Sequence, residues 1–235
     1  MFIHGNYSIL LPICSFCLNI FTLKPITCVC SFDIEKTDLY NIREVKKMLI
    51  NNDTIIKDDD PRIRQKSQDV PLPLTAEDEQ LLRDMFQYVA DSTDEEKAEK
   101  LNLRPAVGIS AIQLGIPKKL TAVIVDSVDK NNEPVRYQFM LANPKIVSSS
   151  VQQAYLEAGE GCLSVEKEHE GYVVRSARIR VQGFDLCTNK MIEIRARGYL
   201  AIVLQHELDH FDGKLFYDHI DHDNPYKAPE DAVAI

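Results

Sequence analysis

Two histidines four positions apart, with a glutamate directly after the first, are the strongest chemical signal in this sequence. His206, Glu207 and His210 form the pattern H-E-x-x-H. On a helix, residues four apart lie one turn apart on the same face, so both imidazoles can reach one cation while the carboxylate flanks it. The pattern is typical of metal hydrolases. The alternative is a pair of core histidines whose hydrogen bonds are satisfied within the fold.

A catalytic ion in such a site needs a third protein ligand and an open position. Downstream, His219 and His222 do not have the spacing of the extended histidine motif of metalloproteases. Upstream, Cys162 follows Gly161, and a glycine lets the backbone approach closely. Cys162 is therefore the candidate third ligand, with a buried core cysteine as the alternative.

The histidines must be positioned by a helix over Tyr199 to Phe211. This segment is apolar nearly all round and is followed by Gly213, which predicts a buried helix with a clear end. An earlier helix is predicted to begin after Thr75, a hydroxyl N-cap, because apolar residues recur at helical spacing up to Ala90. Residues 94–100 are expected to form a short exposed helix.

Strands are predicted between these helices. Patterns rich in β-branched or alternating apolar residues cover residues 121–128, 136–142, 150–156, 172–183 and 191–196. Helices do not alternate regularly with these strands, so the sheet is expected to be mostly antiparallel. The predicted fold class is α+β, with antiparallel strands packed around a central buried helix that carries the H-E-x-x-H motif.

Charge and cysteine content limit the function classes. The chain has 235 residues and a formal net charge of −9, which argues against a broad surface for nucleic acid or anionic membrane and favours small molecules or peptides as ligands. Four of the six cysteines lie in the first thirty residues, leaving Cys162 and Cys187 in the rest. A disulfide scaffold is therefore not expected, and the protein is expected to work in a reducing compartment.

The first part of the chain is predicted to lie outside the catalytic body. Residues 1–30 begin with an uncharged, apolar stretch and are interpreted as a signal segment, with a membrane anchor as the alternative. Residues 31–57 are expected to form a solvated linker or a transit-like extension. Residues 58–235 are the predicted catalytic domain, which is not expected to bind a membrane once mature.

Three separated motifs give the chain a family resemblance. Gly108–Gln113 (GISAIQ), Glu160–Ser164 (EGCLS) and Gln205–His210 (QHELDH) occur in this order, and together they resemble the motifs of peptide deformylase. Further matches extend the resemblance over roughly residues 58 to 220. With its preceding segment, the bacterial-like body is similar to an organellar deformylase, for which a plastid of the apicoplast type is favoured and the mitochondrion is the alternative.

The resemblance implies hydrolysis of the N-formyl group from N-formylmethionine at the start of new polypeptides, with release of formate. The implied ligands of one divalent ion are Cys162, His206 and His210. A site of thiolate and imidazole suits Fe²⁺, which is expected first, and Zn²⁺, Ni²⁺ or Co²⁺ as substitutes. Glu207 would act as general base and then general acid. The Gln113 side chain and the Leu163 N–H would donate to the formyl oxygen.

The resemblance also implies a surface for the peptide. Val107, Gly108 and Gly161 match positions whose backbone pairs with the substrate as an added strand. The implied methionine pocket is lined by Val107, Tyr199, Ile202 and Val203, for each of which core packing is the alternative.

Two features depart from the family pattern. Ala106 stands where the first motif often begins with glycine, and residues 166–170 (EKEHE) follow the cysteine motif where many members have a proline and an arginine. Acidic residues in place of that arginine would weaken contacts with the substrate. A modest enzyme is therefore expected.

The expected partners are formyl-methionyl nascent peptides, met near the ribosome without direct contact to nucleic acid. Two other functions stay open. A different Cys/His₂ metal amidase or peptidase would not discriminate a formylated peptide from its acetylated counterpart. A non-catalytic protein with a closed structural metal site would lose nothing when Glu207 is replaced by glutamine.

Overall fold

The computed structural model describes residues 45–128 and 133–235, which belong to one compact unit, Glu44–Ile235. The predicted signal segment, residues 1–30, and residues 31–44 of the predicted linker lie outside the described residues. Among the described residues, none of the helices combines the length and the apolar character that crossing a bilayer requires.

Three α-helices are present in the described chain: α1 (Ala76–Ser92), α2 (Glu95–Leu101) and α3 (Gly198–Phe211). The Thr75 hydroxyl accepts a hydrogen bond from the Asp78 N–H at 3.2 Å, so it caps α1 as predicted. After α3 the chain turns at Gly213, whose φ of +71° is left-handed. A Cβ at that glycine would collide with the backbone of Arg64, so the position requires glycine.

The described residues contain eight strands: β1 (Gly108–Ser110), β2 (Leu120–Val128), β3 (Pro134–Ser149), β4 (Gln153–Tyr155), β5 (Arg175–Ser176), β6 (Arg178–Asp185), β7 (Lys190–Arg197) and β8 (Val233–Ala234). Five of them form an antiparallel sheet in the order β1-β2-β3-β6-β7. A small second sheet has the order β5-β4-β8, in which β4 and β8 run parallel. The α+β class and the antiparallel sheet are confirmed.

Two predicted strands differ most from the structure. β3 continues past Ala142 through an irregularity in its pairing with β6, where Asn143 has a φ of +51° and Pro144 has no N–H for the ladder. The predicted strand over 172–183 is divided into β5 and β6, which belong to different sheets.

The two long helices pack on the strands through separate apolar clusters. Leu200 and Leu204 of α3 pack with Val181 and other buried residues of β2, β6 and β7. Leu82 and Met85 of α1 belong to a second cluster with residues of β1 and β2. Helix α3 contacts β1, β2 and β7, and this packing fixes the position of its polar residues.

Residues 45–57 contribute to the folded body. Ile50 and Ile55 are 6% and 2% exposed and belong to the same core cluster as α1, and the Met48 N–H donates to Asp84 at 2.7 Å. The boundary predicted at residue 58 is therefore too late. Of the polar residues that suggested a linker, those at 51–54 form a local turn, in which the Asn51 side chain accepts from the Thr54 N–H at 3.1 Å.

Candidate metal centre

Helix α3 and the loop between β4 and β5 bring three potential ligands together. Cys162 lies in that loop, and His206 and His210 lie on α3. One ligand atom from each residue lies within 4.8 Å of the others, and Cys162 Sγ is 3.4 Å from His210 Nε2. The two imidazole rings have centroids 5.0 Å apart and are nearly perpendicular, at 84°. A sulfur and two rings therefore converge on one point.

The chemistry of these donors fits a divalent ion. Burial raises the pKa of the Cys162 thiol, but the charge of His210 and a hydrogen bond with His206 outweigh it and lower the pKa to about 6. The thiolate, which is the form that binds metals, is thereby favoured. His206 Nδ1 lies 2.8 Å from Glu160 Oε2, so the other ring nitrogen is available to an ion. Carboxylates commonly orient metal-binding histidines in this way.

The Glu160 carboxylate that contacts His206 belongs to a buried ionic network. Glu160 pairs with Arg175 through two hydrogen bonds of 2.5 and 2.9 Å, and Arg175 also donates to Asp209 Oδ2 at 2.8 Å. Burial raises the pKa of Glu160, but the hydrogen bonds with His206 and Arg175 outweigh it, so the net shift is downward. Asp209 also accepts from His219 at 2.8 Å. Asp209 thus orients Arg175, and Arg175 in turn orients Glu160. Arg175 was not singled out from the sequence, because no motif contains it.

Glu207 is buried beside the three potential ligands, at 4% exposure. The Ser110 hydroxyl donates to its Oε2 at 2.7 Å, and the Thr121 hydroxyl lies at 3.4 Å. A Cβ at Gly108 would lie 2.8 Å from Glu207 Cδ and closer still to Oε1. The carboxylate therefore depends on a glycine at position 108 for space and on two hydroxyls for orientation.

Gln113 has its side-chain amide fixed in one direction. It lies in a 3₁₀ helix, Ala111–Leu114, and its Oε1 accepts from the Ser110 N–H at 2.9 Å. Its Nε2 then points to Cys162 Sγ at 3.5 Å and to Ser164 Oγ at 3.3 Å. Gln113 thus makes a local capping hydrogen bond with its oxygen and directs its N–H donor to the ligand cluster.

Two cations hold the loop that carries Cys162. Lys57 Nζ donates to the Leu163 carbonyl at 3.1 Å. Arg104 Nη1 lies 3.4 Å from the carbonyls of both Leu163 and Val165. Neither cation was predicted from the sequence, because the motifs indicate chemistry and carry no signal for backbone contacts over long separations.

All the predicted site residues except His210 line one cavity of about 330 Å³. His210 lies beneath its wall at 1% exposure. Tyr199 lies at the rim, being 36% exposed, whereas Ile202 and Val203 are 1% and 6% exposed. These two residues therefore pack in the core and face the cavity as well. The lining residues that the sequence did not single out are Thr93, Arg104, Pro105 and Leu156.

The two departures from the family pattern lie close to this cavity. Ala106 is on its wall, and its N–H donates to Ser92 Oγ at 3.2 Å. Residues 166–170 line a neighbouring cavity of about 500 Å³, which shares Arg104 and Cys162 with the first. Residues 166–170 thus line the second cavity and not the first, while Cys162 lines both.

Comparisons with known proteins agree on one family. The family model for Polypeptide deformylase matches residues 52–225. Peptide deformylase 2 of Bacillus subtilis (strain 168) is 46% identical over 187 residues, which cover 80% of this chain and 99% of that protein.

Solved structures give the same result. The peptide deformylase of Ehrlichia chaffeensis in complex with actinonin has a TM-score of 0.59 at 29% identity, covering 76% of this chain and 92% of that one. The Met-Ala-Ser-bound class I type b peptide deformylase of Acinetobacter baumannii has a TM-score of 0.56 at 25% identity, covering 74% and 100%.

Proposed function

The chain belongs to the polypeptide deformylase family, and from this membership we propose that Cys162, His206 and His210 hold its divalent ion. The protein removes the N-formyl group from N-formylmethionine at the start of new polypeptides and releases formate. The observation that carries the proposed site is the convergence of three ligand atoms within 4.8 Å. Helix α3 would then be the central helix around which the strands arrange the site.

Ferrous iron is the proposed native ion, with Zn²⁺, Ni²⁺ and Co²⁺ as substitutes, because a thiolate and two imidazoles accept all of these. When bound, the ion supplies Lewis-acid chemistry, since it polarises a carbonyl group and acidifies water. An iron-bound thiolate is readily oxidised. The iron form should therefore lose activity in air while the zinc form does not, which an activity time course with each metal would test.

Glu207 is the proposed proton carrier. Its Oε2 accepts from the Ser110 hydroxyl at 2.7 Å, which orients the carboxylate beside the ligand cluster. In that position it can take the proton from an attacking water and return it to the departing amine. Attack on the formyl carbon forms one C–O bond, and breaking the C–N bond then releases formate and the free amino terminus.

Gln113 and Leu163 are the proposed donors to the formyl oxygen as negative charge develops on it. The Gln113 amide is already oriented, because its oxygen is bound by the Ser110 N–H at 2.9 Å. A donor that needs no reorientation during the reaction contributes more than one that must first turn. The Leu163 N–H belongs to a loop that Lys57 and Arg104 hold from its carbonyl side.

The peptide is proposed to bind along the cavity that extends from Val107 and Gly108 to Gly161, through backbone hydrogen bonds that do not read downstream side chains. The methionine side chain would lie against Tyr199, Ile202 and Val203. Met-Ala-Ser, bound in the Acinetobacter relative, would then be the product of this chain acting on formyl-Met-Ala-Ser.

The decisive experiment is an anaerobic assay on formyl-Met-Ala-Ser with added Fe²⁺, with and without a chelator. Release of formate that the chelator abolishes is the expected result. Acetyl-Met-Ala-Ser should be a far poorer substrate, because a pocket sized for the formyl hydrogen rejects a methyl group. Absence of deformylation in the presence of Fe²⁺, or equal hydrolysis of both peptides, would contradict the proposed function.

The proposed location is a plastid of the apicoplast type, where translation of bacterial type would supply formylated chains. The proposal is supported by an apolar segment at 1–30 and a polar segment at 31–57 ahead of a bacterial-like body. A fluorescent protein fused behind residues 1–57 should enter the plastid. Delivery to the mitochondrion would contradict this location without affecting the proposed activity.

A further inference from the structure

Four arginines face solvent across strands β6 and β7. Arg178 lies opposite Arg197, and Arg180 lies opposite Arg195, in the antiparallel register. Alternate residues of a strand share one face of the sheet, and the residues between these arginines are buried. We call these four residues the arginine face.

The charges of the arginine face are poorly compensated. Like charges directly opposite each other on paired strands are destabilising. Glu193 lies 3.6 Å from both Arg180 and Arg195, and within residues 45–128 and 133–235 Arg178 and Arg197 make no ion pair. Arg195 has 81% of its side chain exposed. Such an arrangement would be stabilised by an anionic partner.

All four arginines line one surface depression of about 400 Å³, together with Ser148, Ser149 and Ser150. Serine hydroxyls and arginine guanidinium groups are among the side chains that contact phosphate oxygens, and the guanidinium group can bind a phosphate through two hydrogen bonds. The Ser150 hydroxyl already donates to the Gln152 carbonyl at 2.7 Å, so it is available only as an acceptor. Alternate arginines on one strand are about 7 Å apart, which is comparable with the spacing of consecutive phosphates in a nucleic acid strand.

We propose that the arginine face binds the phosphate backbone of RNA. RNA is favoured over an anionic membrane because, on the proposed function, the substrate is a nascent polypeptide that leaves a particle rich in RNA. The arginine face also borders the site: Arg178, Arg195 and Arg197 line a cavity of about 440 Å³ with Tyr199, which lies at the rim of the candidate metal centre as well. Contact with RNA would therefore keep the cavity near emerging chains. The net charge of −9, which led us to expect no nucleic acid partner, limits this binding to one local surface.

The test measures binding of the holoenzyme to a fluorescently labelled RNA duplex of 16 base pairs by anisotropy, over a range of salt concentrations. Four phosphate contacts predict a slope of about −3.6 for the logarithm of affinity against the logarithm of salt, at about 0.9 per contact as in duplex DNA. Replacing Arg178, Arg180, Arg195 and Arg197 together by glutamine should weaken binding by at least about tenfold and flatten the slope. The matched control replaces Lys66, Arg83, Lys100 and Lys214 by glutamine, which changes the net charge equally and should have little effect.

Deformylation of formyl-Met-Ala-Ser separates this proposal from the proposed function. Both quadruple variants should keep that activity, since neither set has a role in the cavity chemistry. Equal RNA binding by the two variants would overturn the proposal. So would binding of the holoenzyme to vesicles containing phosphatidylserine without binding to RNA, because the arginine face would then serve a membrane.

Discussion

Glu207 is the proposed proton carrier, so its replacement tests the proposed mechanism most directly. Replacing it by glutamine keeps the size of the side chain but removes the base. We expect Glu207→Gln to retain the metal and to lower kcat by roughly 10²- to 10⁴-fold. Steady-state kinetics on formyl-Met-Ala-Ser, with metal content measured on the same sample, would check this. Glu99→Gln, at an exposed position of α2, is the control, and full activity of Glu207→Gln would indicate a closed structural metal site.

Gly108 tests how closely that carboxylate is packed. A methyl group at position 108 would overlap the end of the Glu207 side chain, and the side chain would have to move away from the Ser110 hydroxyl. We expect Gly108→Ala to lower kcat by at least about tenfold, because small displacements of catalytic groups are costly. Kinetics and metal content would be measured together. Loss of the metal along with the activity would contradict this explanation, since the collision involves no ligand.

At the residue scale, the sequence predicted which residues lie together where motifs indicate a shared chemistry, and it gave no signal for contacts made by residues outside the motifs. Cys162 and His210 could be expected to lie close together because both belong to motifs that suggest metal binding, and their Sγ and Nε2 atoms are 3.4 Å apart. Arg175 could not, because it lies outside every motif and is recognised only by its buried hydrogen bonds to Glu160 and Asp209.

The loop that carries Cys162 is an element without regular structure, so its shape depends on contacts to its backbone. Lys57 and Arg104 both donate to the Leu163 carbonyl, at 3.1 and 3.4 Å. We expect the double variant Lys57→Met, Arg104→Met to weaken metal binding and to lower kcat by about tenfold or more, because the loop loses charged hydrogen bonds of about 1.5 to 3 kcal/mol each. The visible spectrum of the Co²⁺ form would report the altered sulfur ligand directly. Arg83→Met is the control on an exposed surface, and an unchanged Co²⁺ spectrum in the double variant would contradict a positioning role.

The segment before residue 58 offers a second test at this scale. Ile55 is 2% exposed, whereas Leu49, six positions earlier, is 68% exposed. We expect Ile55→Ala to lower the free energy of unfolding by about 2 to 5 kcal/mol, as for other large apolar residues in a core, and Leu49→Ala to change it by less than about 0.5 kcal/mol. Urea unfolding of both variants would check this. Equal effects would mean that the segment is not part of the core.

Among the elements, those with a recognisable internal pattern could be predicted. Helices α1 and α3 are long enough to show helical spacing and an identifiable N-cap or stop. Strand β1 has three residues, all buried, so it shows no alternation and was not predicted, although it places Gly108 and Ser110 in the site. Its position follows from pairing with β2, and the local sequence of β1 does not predict that pairing.

For the whole molecule, the ion would join the loop of Cys162 to helix α3, two parts of the fold that are far apart along the chain. A ligand that binds only the folded state stabilises it, by about 2.7 kcal/mol at a hundred times its dissociation constant. For a domain of this size that corresponds to a fall of roughly 5 to 10 °C in Tm when the ion is removed. Calorimetry of the chelated protein and of the same protein after metal is restored would measure the change.

Two cysteine variants make that measurement specific. Cys162→Ser removes the proposed sulfur ligand, so its Tm should respond little to the chelator or to added metal. Cys187→Ser removes a cysteine that is exposed and is not a member of the ligand cluster, and its Tm should fall and recover as in the unmodified protein. Removing a thiolate that binds the ion must reduce the stabilisation that the ion provides. If the Cys162→Ser protein still lost and regained as much stability as the Cys187→Ser protein, the ion would have to be bound elsewhere.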